Sequence, residues 1–194
     1  MSDQLFSLFR SNVGDLDPLT QRNLFLAFRE LAFQSVYFIL NDRSLTEDAI
    51  QEAFIKAMVN GPRTRPDSNM KSWLKQVARN AAFDIIRKNK KYRQVSDLDS
   101  VMIYEENEQL RDFPESTDEI VENMLRNESL VETLNELKVE YRIVLVLRYL
   151  EEMSYKEIAE ELGITDQVLS KRLERARKKL ADLFTQKWGV RDEA

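Results

Sequence analysis

The sequence has neither cysteine nor histidine among its 194 residues. Without cysteine there is no disulfide framework, so an oxidising compartment is not implied. Without either residue no Cys/His zinc site can form, nor a triad or cysteine nucleophile that relies on histidine. Any general acid or base would be a carboxylate, a lysine or a tyrosine. Glycine is scarce at 4 residues, and neither a G-x-G-x-x-G run nor a Walker-type phosphate loop occurs. No uninterrupted apolar run approaches the roughly 18 residues of a membrane span, so no membrane insertion is expected. The opening MSDQLFSLFR lacks a basic segment followed by an apolar one, and so does not read as a signal peptide. The expected location is the cytoplasm.

What is present is an ordinary apolar fraction, 43%, which excludes global disorder, and 34 acidic residues against 29 basic ones. The net charge of −5, taken as an average, argues against a nucleic-acid partner. The length suits one domain of about 150 residues or two of about 70.

Apolar residues recur at helical spacing and strand-length alternation is absent, so the expected class is all-α. Leu24, Phe28, Leu31, Ala32, Ser35, Val36 and Ile39 form one stripe, ended by Asn41-Asp42. Ser44-Leu-Thr-Glu47 fits a capping box and predicts a helix over 45–59, with Ala49, Ile50, Ala53, Phe54, Ala57 and Met58 inward. Its other side carries Asp48, Gln51, Glu52 and Ile55, an acidic face with one exposed aliphatic. Asn60-Gly-Pro62 stops this helix, and Pro66 keeps the next segment non-helical. A third helix is expected from Ser68–Asn69 to about Lys91, with Met70, Trp73, Leu74, Val77, Ala78, Ala81, Ile85 and Ile86 apolar. It carries Lys71, Lys75, Arg79, Arg87, Lys88, Lys90, Lys91 and Arg93 against Asp84 alone. A basic helix with an aromatic, Trp73, suits melted nucleic acid: bases stack on rings while cations track phosphates.

Residues 95–122 hold ten acidic side chains and one basic, Arg111, with weak periodicity broken by Pro114. They read as a flexible acidic linker. Helical spacing returns with Leu130, Val131, Leu134 and Leu137, then with the apolar run Tyr141 to Tyr149.

Residues 155–173 fit a helix-turn-helix. Ser154 and Glu157 form a capping box. Ile158 and Leu162 point inward, and Ala159 is small where two helices must approach. Gly163 sits at the turn, where positive φ favours glycine. Ile164 plugs the corner, Thr165 or Asp166 caps the second helix, and Leu169 and Leu173 anchor it. Its outer face carries Gln167, Ser170, Lys171, Glu174, Arg175 and Lys178. From Lys171 to Lys179 six cations, Arg172 among them, face one anion. Such a helix can enter a major groove.

Taken together, Glu47-Asp-Ala-Ile-Gln-Glu-Ala-Phe-Ile-Lys-Ala57, Ser72-Trp-Leu-Lys-Gln-Val-Ala-Arg-Asn-Ala-Ala-Phe-Asp-Ile-Ile-Arg87 and the helix-turn-helix closely resemble a bacterial sigma factor of the extracytoplasmic-function group, sigma-70 family. The resemblance covers about residues 20–93 and 127–185. It implies a non-enzymatic initiation factor, without cofactor or metal, that takes core RNA polymerase to promoters and helps open them. By matched positions it implies that Asp48, Gln51, Glu52 and Ile55 dock on the clamp helices of the largest polymerase subunit. The second-largest subunit's flap would be a further contact. It implies that the loop carrying Arg63, Arg65 and Asn69, and the helix carrying Trp73, Lys75, Arg79, Asn80, Arg87 and Lys88, recognise the −10 element. Gln167, Ser170, Lys171, Arg172, Glu174, Arg175 and Lys178 would bind the −35 element, and Asp84 would pair within the bundle. The acidic linker matches the segment that threads polymerase channels. An anti-sigma partner is also implied. Two departures stand out: the loop 60–69 holds two prolines and two arginines, and Val168-Leu169 replaces the usual Thr-Val.

The domain reading is therefore an N-terminal extension 1–20 with no matching signal, region 2 at 21–94, an acidic linker at 95–126, region 4 at 127–187 and a tail at 188–194. The alternatives are an autonomous helix-turn-helix regulator, which leaves the basic Trp73 helix and the acidic linker without a role, and a carboxylate enzyme. No paired carboxylates on a buried helical face support the second.

Overall fold

The structure, a computed structural model, describes residues 2–88 and 128–188. Lys90, Lys91, Arg93, the acidic stretch 95–126 and residues 189–194 lie outside the described residues. Every regular element among the described residues is helical, and the chain divides into two compact units, one within 1–89 and the other within 90–194.

The first unit is built on three long helices. Helix α1 (Ser2–Ser7) and two short 3-10 turns, Leu8–Arg10 and Val13–Asp15, precede them. Helix α2 (Pro18–Leu40) starts where Asp17 Oδ1 accepts from the amides of Leu19 and Thr20, with Pro18 supplying a pre-set φ. It ends at Asn41, whose φ of 51° is left-handed. Its expected stripe is buried at Leu24, Phe28, Ala32, Ser35, Val36 and Ile39, while Leu31 is only half-buried.

By length and composition α2 could cross a membrane, with an 18-residue window of mean hydropathy 1.2. No uninterrupted apolar run is present, since Arg29 and Glu30 fall between Asn23 and Leu40, but they are the only charges there, so the window is more apolar than the run lengths alone suggest. Packing accounts for the apolarity, because the stripe is covered by α3 and α4.

Helix α3 spans Arg43–Asn60, two residues earlier than expected. The predicted Ser44–Glu47 box does not cap it. Asp42 does, its Oδ1 accepting from the Leu45 amide at 3.0 Å. Glu47 is drawn instead to Arg29 of α2, whose Nε donates to Oε2 at 3.0 Å. A charge-assisted pair to guanidinium outcompetes a local backbone amide. Ala49, Ile50, Ala53 and Ala57 are buried as expected; Phe54 and Met58 are half-buried. Helix α4 (Met70–Lys88) is capped by Asn69, which accepts from the Ser72 amide at 3.1 Å.

Residues 2–16, which offered no sequence signal, pack into this unit. Phe6, Phe9 and Val13 are buried. The Phe9 ring meets Phe28 and Phe54 edge-on, at centroid distances of 6.0 and 5.6 Å. Phe25 joins the same cluster against Phe54 at 5.2 Å.

The second unit holds α5 (Glu128–Glu136), α6 (Val139–Leu145), α7 (Tyr155–Leu162) and α8 (Asp166–Trp188). Helix α6 runs into a π-helical turn, Val146–Leu150, closed by Glu151 N donating to Val146 O at 3.0 Å. The apolar run is buried from Tyr141 to Leu147. The buried Arg142 donates from Nη1 to Leu137 O at 3.2 Å, satisfying a carbonyl just past the end of α5. Leu169, Leu173, Ala176 and Leu180 of α8 complete the core.

Candidate nucleic-acid interface

The turn between α7 and α8 is built as the sequence requires. Ser154 Oγ accepts from the Glu157 amide at 3.3 Å, and Glu157 Oε2 accepts from the Ser154 amide at 2.8 Å. Gly163 takes φ 67°, a left-handed turn that ends α7. Thr165 caps α8, its Oγ1 accepting from the Val168 amide at 3.3 Å. Ile158, Ala159 and Leu162 face inward, and Ile164 is half-buried at the corner.

With α8 anchored by Leu169 and Leu173, the opposite side is set by periodicity. Gln167, Ser170, Lys171 and Lys178 are exposed and share a face with the half-buried Glu174. Arg175 lies half-buried at its edge. Arg172 stands apart from them, toward the core side of the helix and half-buried. Burial pushes its guanidinium below the ordinary value, with Glu140 and Tyr141 acting the other way.

In the first unit, Trp73, Asn80 and Arg87 fall on one stripe of α4, spaced by seven residues, and the capping Asn69 precedes Trp73 by four. Asn69, Asn80 and Arg87 are exposed and Trp73 is half-buried, so the ring is not a core residue. Arg63 and Arg65 are exposed on the preceding loop, and Lys88 is exposed near the helix end. Two expected members are placed elsewhere. Arg79 is buried, with 5% exposure, and Lys75 is half-buried away from the stripe.

Asp84 pairs within the bundle, accepting from Lys56 of α3 at 3.2 Å and from Arg87 at 3.1 Å. On α3, Asp48 and Gln51 are exposed, Glu52 is half-buried and Ile55 is 62% exposed. Val59, one turn on, is 59% exposed and extends the apolar part of this face. Sequence reading passed over Val59, although its i+4 spacing from Ile55 on a polar side carried the signal. Arg10 is the other residue missed: it binds the loop 64–68, and nothing local in the sequence announces so distant a partner.

Residues 24–92 match the family described as sigma-70 region 2, and residues 127–180 match sigma-70, region 4. The chain is 31% identical over 177 residues to the ECF RNA polymerase sigma factor SigM of Bacillus subtilis (strain 168), a match covering 90% of this chain and 100% of that one. The chain belongs to the ECF sigma factors of RNA polymerase. SigW of the same organism is 31% identical over 157 residues, covering 79% of this sigma factor and 82% of its relative. The fold is similar to the sigma factor RpoE of Bartonella quintana, solved in complex with the anti-sigma factor NepR. The TM-score is 0.55 at 24% identity, covering 85% of this chain and 96% of that one.

The family resemblance and the all-α expectation are thereby borne out. This protein is an alternative sigma factor: it binds core RNA polymerase and directs it to promoters through its region 2 and region 4 domains. An autonomous helix-turn-helix regulator is disfavoured, because region 2 is present as well.

Proposed function

We propose that the two faces built on α4 and α8 divide promoter recognition between them, and that α3 carries the polymerase dock. The exposed row Gln167, Ser170, Lys171 and Lys178, with Arg175 beside it, reads duplex DNA of the −35 element from the major groove. The stripe Trp73, Asn80 and Arg87, with the capping Asn69 before it and Arg63 and Arg65 on the loop, holds unpaired bases of the −10 element. Stacking on an aromatic and contact to cations offset the few kcal/mol that each extruded base costs. The observation that carries this reading is the stripe on α4: one half-exposed ring, Trp73, in register with the exposed Asn80 and Arg87 and preceded by the exposed capping Asn69, on a helix anchored to the core by Leu74, Ala78, Ala81 and Ile86. Arg79 and Lys75 act from behind as bundle supports, and Arg172 lines the core edge of α8.

Asp48, Gln51, Glu52 and Ile55, extended by Val59, dock on the clamp helices of the largest polymerase subunit, with region 4 on the flap of the second-largest. The protein is not itself an enzyme; chemistry stays in the polymerase, and both act in the cytoplasm. An anti-sigma partner is proposed as well, since the structurally similar RpoE was solved with NepR. The acidic residues 95–126 are proposed to occupy a basic polymerase channel until nucleic acid displaces them.

Run-off transcription tests this function. Core polymerase plus this protein on a genomic promoter library is expected to initiate at a set of sites sharing two spaced elements. Absence of initiation overturns it.

A further inference from the structure

The segment 2–16 ends against the loop that joins α3 to α4, and one side chain ties the two together. Arg10 Nη1 donates to Thr64 Oγ1 at 3.1 Å and to the Arg65 carbonyl. Its Nη2 donates to the Ser68 carbonyl at 2.7 Å and to Ser68 Oγ at 3.3 Å. One guanidinium thus gathers two backbone carbonyls and two hydroxyls from partners 54 to 58 residues away. Those hydroxyls are already committed as donors. Thr64 Oγ1 donates to Gly61 O at 2.6 Å and Ser68 Oγ donates to Arg65 O at 2.7 Å, so the lone pairs of each are left to accept. Arg10 donates to both.

The backbone behind it is seated just as closely. A Cβ on Gly61 would lie 2.1 Å from the Phe9 carbonyl oxygen, so the two main chains touch where the loop begins. Phe9 is 0% exposed and its ring is wedged against Phe28 and Phe54. The loop therefore rests on a platform fixed to the bundle core. Arg10 holds the Arg65 and Ser68 carbonyls, while the Arg63 and Arg65 side chains stand exposed.

We propose that residues 2–16 are a brace for the loop 61–69, and that Arg10 is a positioning residue which sets the base selectivity of the loop without touching DNA. This rests on the reading of region 2 as the −10 reader. The physical reason is pre-organisation. The loop 61–69 is shaped locally only by the turn Gly61–Arg63 and the short-range bonds of Thr64 and Ser68, so the hydrogen bonds from Arg10 reduce what must still be ordered on binding. Supporting hydrogen bonds that lock a recognition loop raise selectivity, because a loosely held site accepts a wrong base almost as well as the right one.

The test uses the full chain in holoenzyme with core polymerase. The probes are labelled single-stranded DNAs carrying a −10 sequence recovered by run-off selection, and its single-base variants. Wild type is expected to prefer one base by a clear margin at the discriminating position. Arg10→Ala is expected to bind the preferred strand about tenfold more weakly and to lose most of the preference, while core affinity and −35 duplex binding hold. Arg10→Lys, which keeps the charge but not the fork, is expected to recover part of the preference. Arg22→Ala, which removes an exposed cation of α2, is expected to leave both affinity and preference unchanged. Undiminished selectivity in Arg10→Ala overturns the brace while leaving region 2 as the −10 reader. Equal losses of core affinity and −35 binding, or an Arg22→Ala loss matching that of Arg10→Ala, also overturn it. A wild-type holoenzyme that selects no base on any strand overturns the −10 reading itself, and the brace with it.

Discussion

Lys56 of α3 and Asp84 of α4 are joined across the bundle, Nζ to Oδ2 at 3.2 Å. The link has a neighbour at each end: Glu52 accepts from the same ammonium at 2.8 Å, and Arg87 donates to the other Asp84 oxygen at 3.1 Å. Four alternating charges thus run from the proposed polymerase dock to the proposed −10 stripe. Glu52 is the chief cause of the raised Lys56 pKa, followed, after the opposing effect of burial, by Asp84. Both partners are about a third or more exposed, so solvent screens them. A double-mutant cycle of Lys56→Gln and Asp84→Asn is expected to give a coupling below about 1 kcal/mol, shrinking with added salt. A urea-denaturation cycle that returns several kcal/mol, insensitive to salt, contradicts this.

Glu47 gives the fold a pH dependence. The hydrogen bond from Arg29 holds its carboxyl below the ordinary value of 4.5, against a smaller opposing effect of burial. A depressed folded-state pKa means that the pairing stabilises the protein above the unfolded value and that this contribution is lost as pH falls through the folded one. The Tm gap between wild type and Glu47→Gln is therefore expected to be present at neutral pH and to close below pH 4.5. A gap that stays constant through the acid range removes the assignment.

Gly61 is required by a close approach rather than by its dihedral angles, since its φ is an ordinary −53°. Alanine there would drive a Cβ into the Phe9 main chain, and neither side can rotate away. Gly61→Ala is expected to destabilise the protein by about 1–3 kcal/mol in chemical denaturation. At Gly14 an added Cβ meets only the Asn12 side chain, at 3.3 Å. Gly14→Ala should stay within about 0.5 kcal/mol of wild type, and equal losses at the two sites would refute the clash.

The α3 face yields a binding prediction. The double charge reversal Asp48→Lys and Glu52→Lys is expected to weaken core polymerase binding by about tenfold or more, mainly through slower association. Folding should be nearly untouched, because Asp48 is exposed and Glu52 contributes only a screened pair to Lys56. Normal holoenzyme yield from a titration of the double variant rules out the docking face.

Arg175 gives the corresponding prediction in region 4. Arg175→Ala is expected to reduce binding to −35 duplex DNA by about ten- to a hundredfold and to relax the preference at one base pair. Core affinity should not change. Filter binding of holoenzyme to a base-substituted −35 series reads both, and a matching loss of core affinity refutes the role.

Much of the fold could be read from residues alone where the signal was local. The Ser154–Glu157 box, the left-handed Gly163 and the anchors Leu169 and Leu173 lie within a few residues of their partners, so spacing was sufficient. The same logic failed at Ser44–Glu47. The pattern is chemically sound, but Arg29 on another helix competes for the same carboxylate. It was silent on residues 2–16, whose apolar positions are too few to show a period and whose partners Phe28, Phe54 and Gly61 are distant in sequence.

By itself the sequence determined the helical class, the turn that aims α8, the clustering of charge that a net −5 conceals, and membership of the sigma family. Only the tertiary structure decided which cations face solvent. Arg79 and Arg87 sit on one helix and look alike in sequence, yet the first is enclosed and the second exposed. The tertiary structure also decided that Arg10 lies against a loop more than fifty residues away in the chain and holds it. Short-range capping and periodicity are properties of a segment. Burial and long-range pairing depend on which other segment arrives, and that is set by the packing of the whole unit.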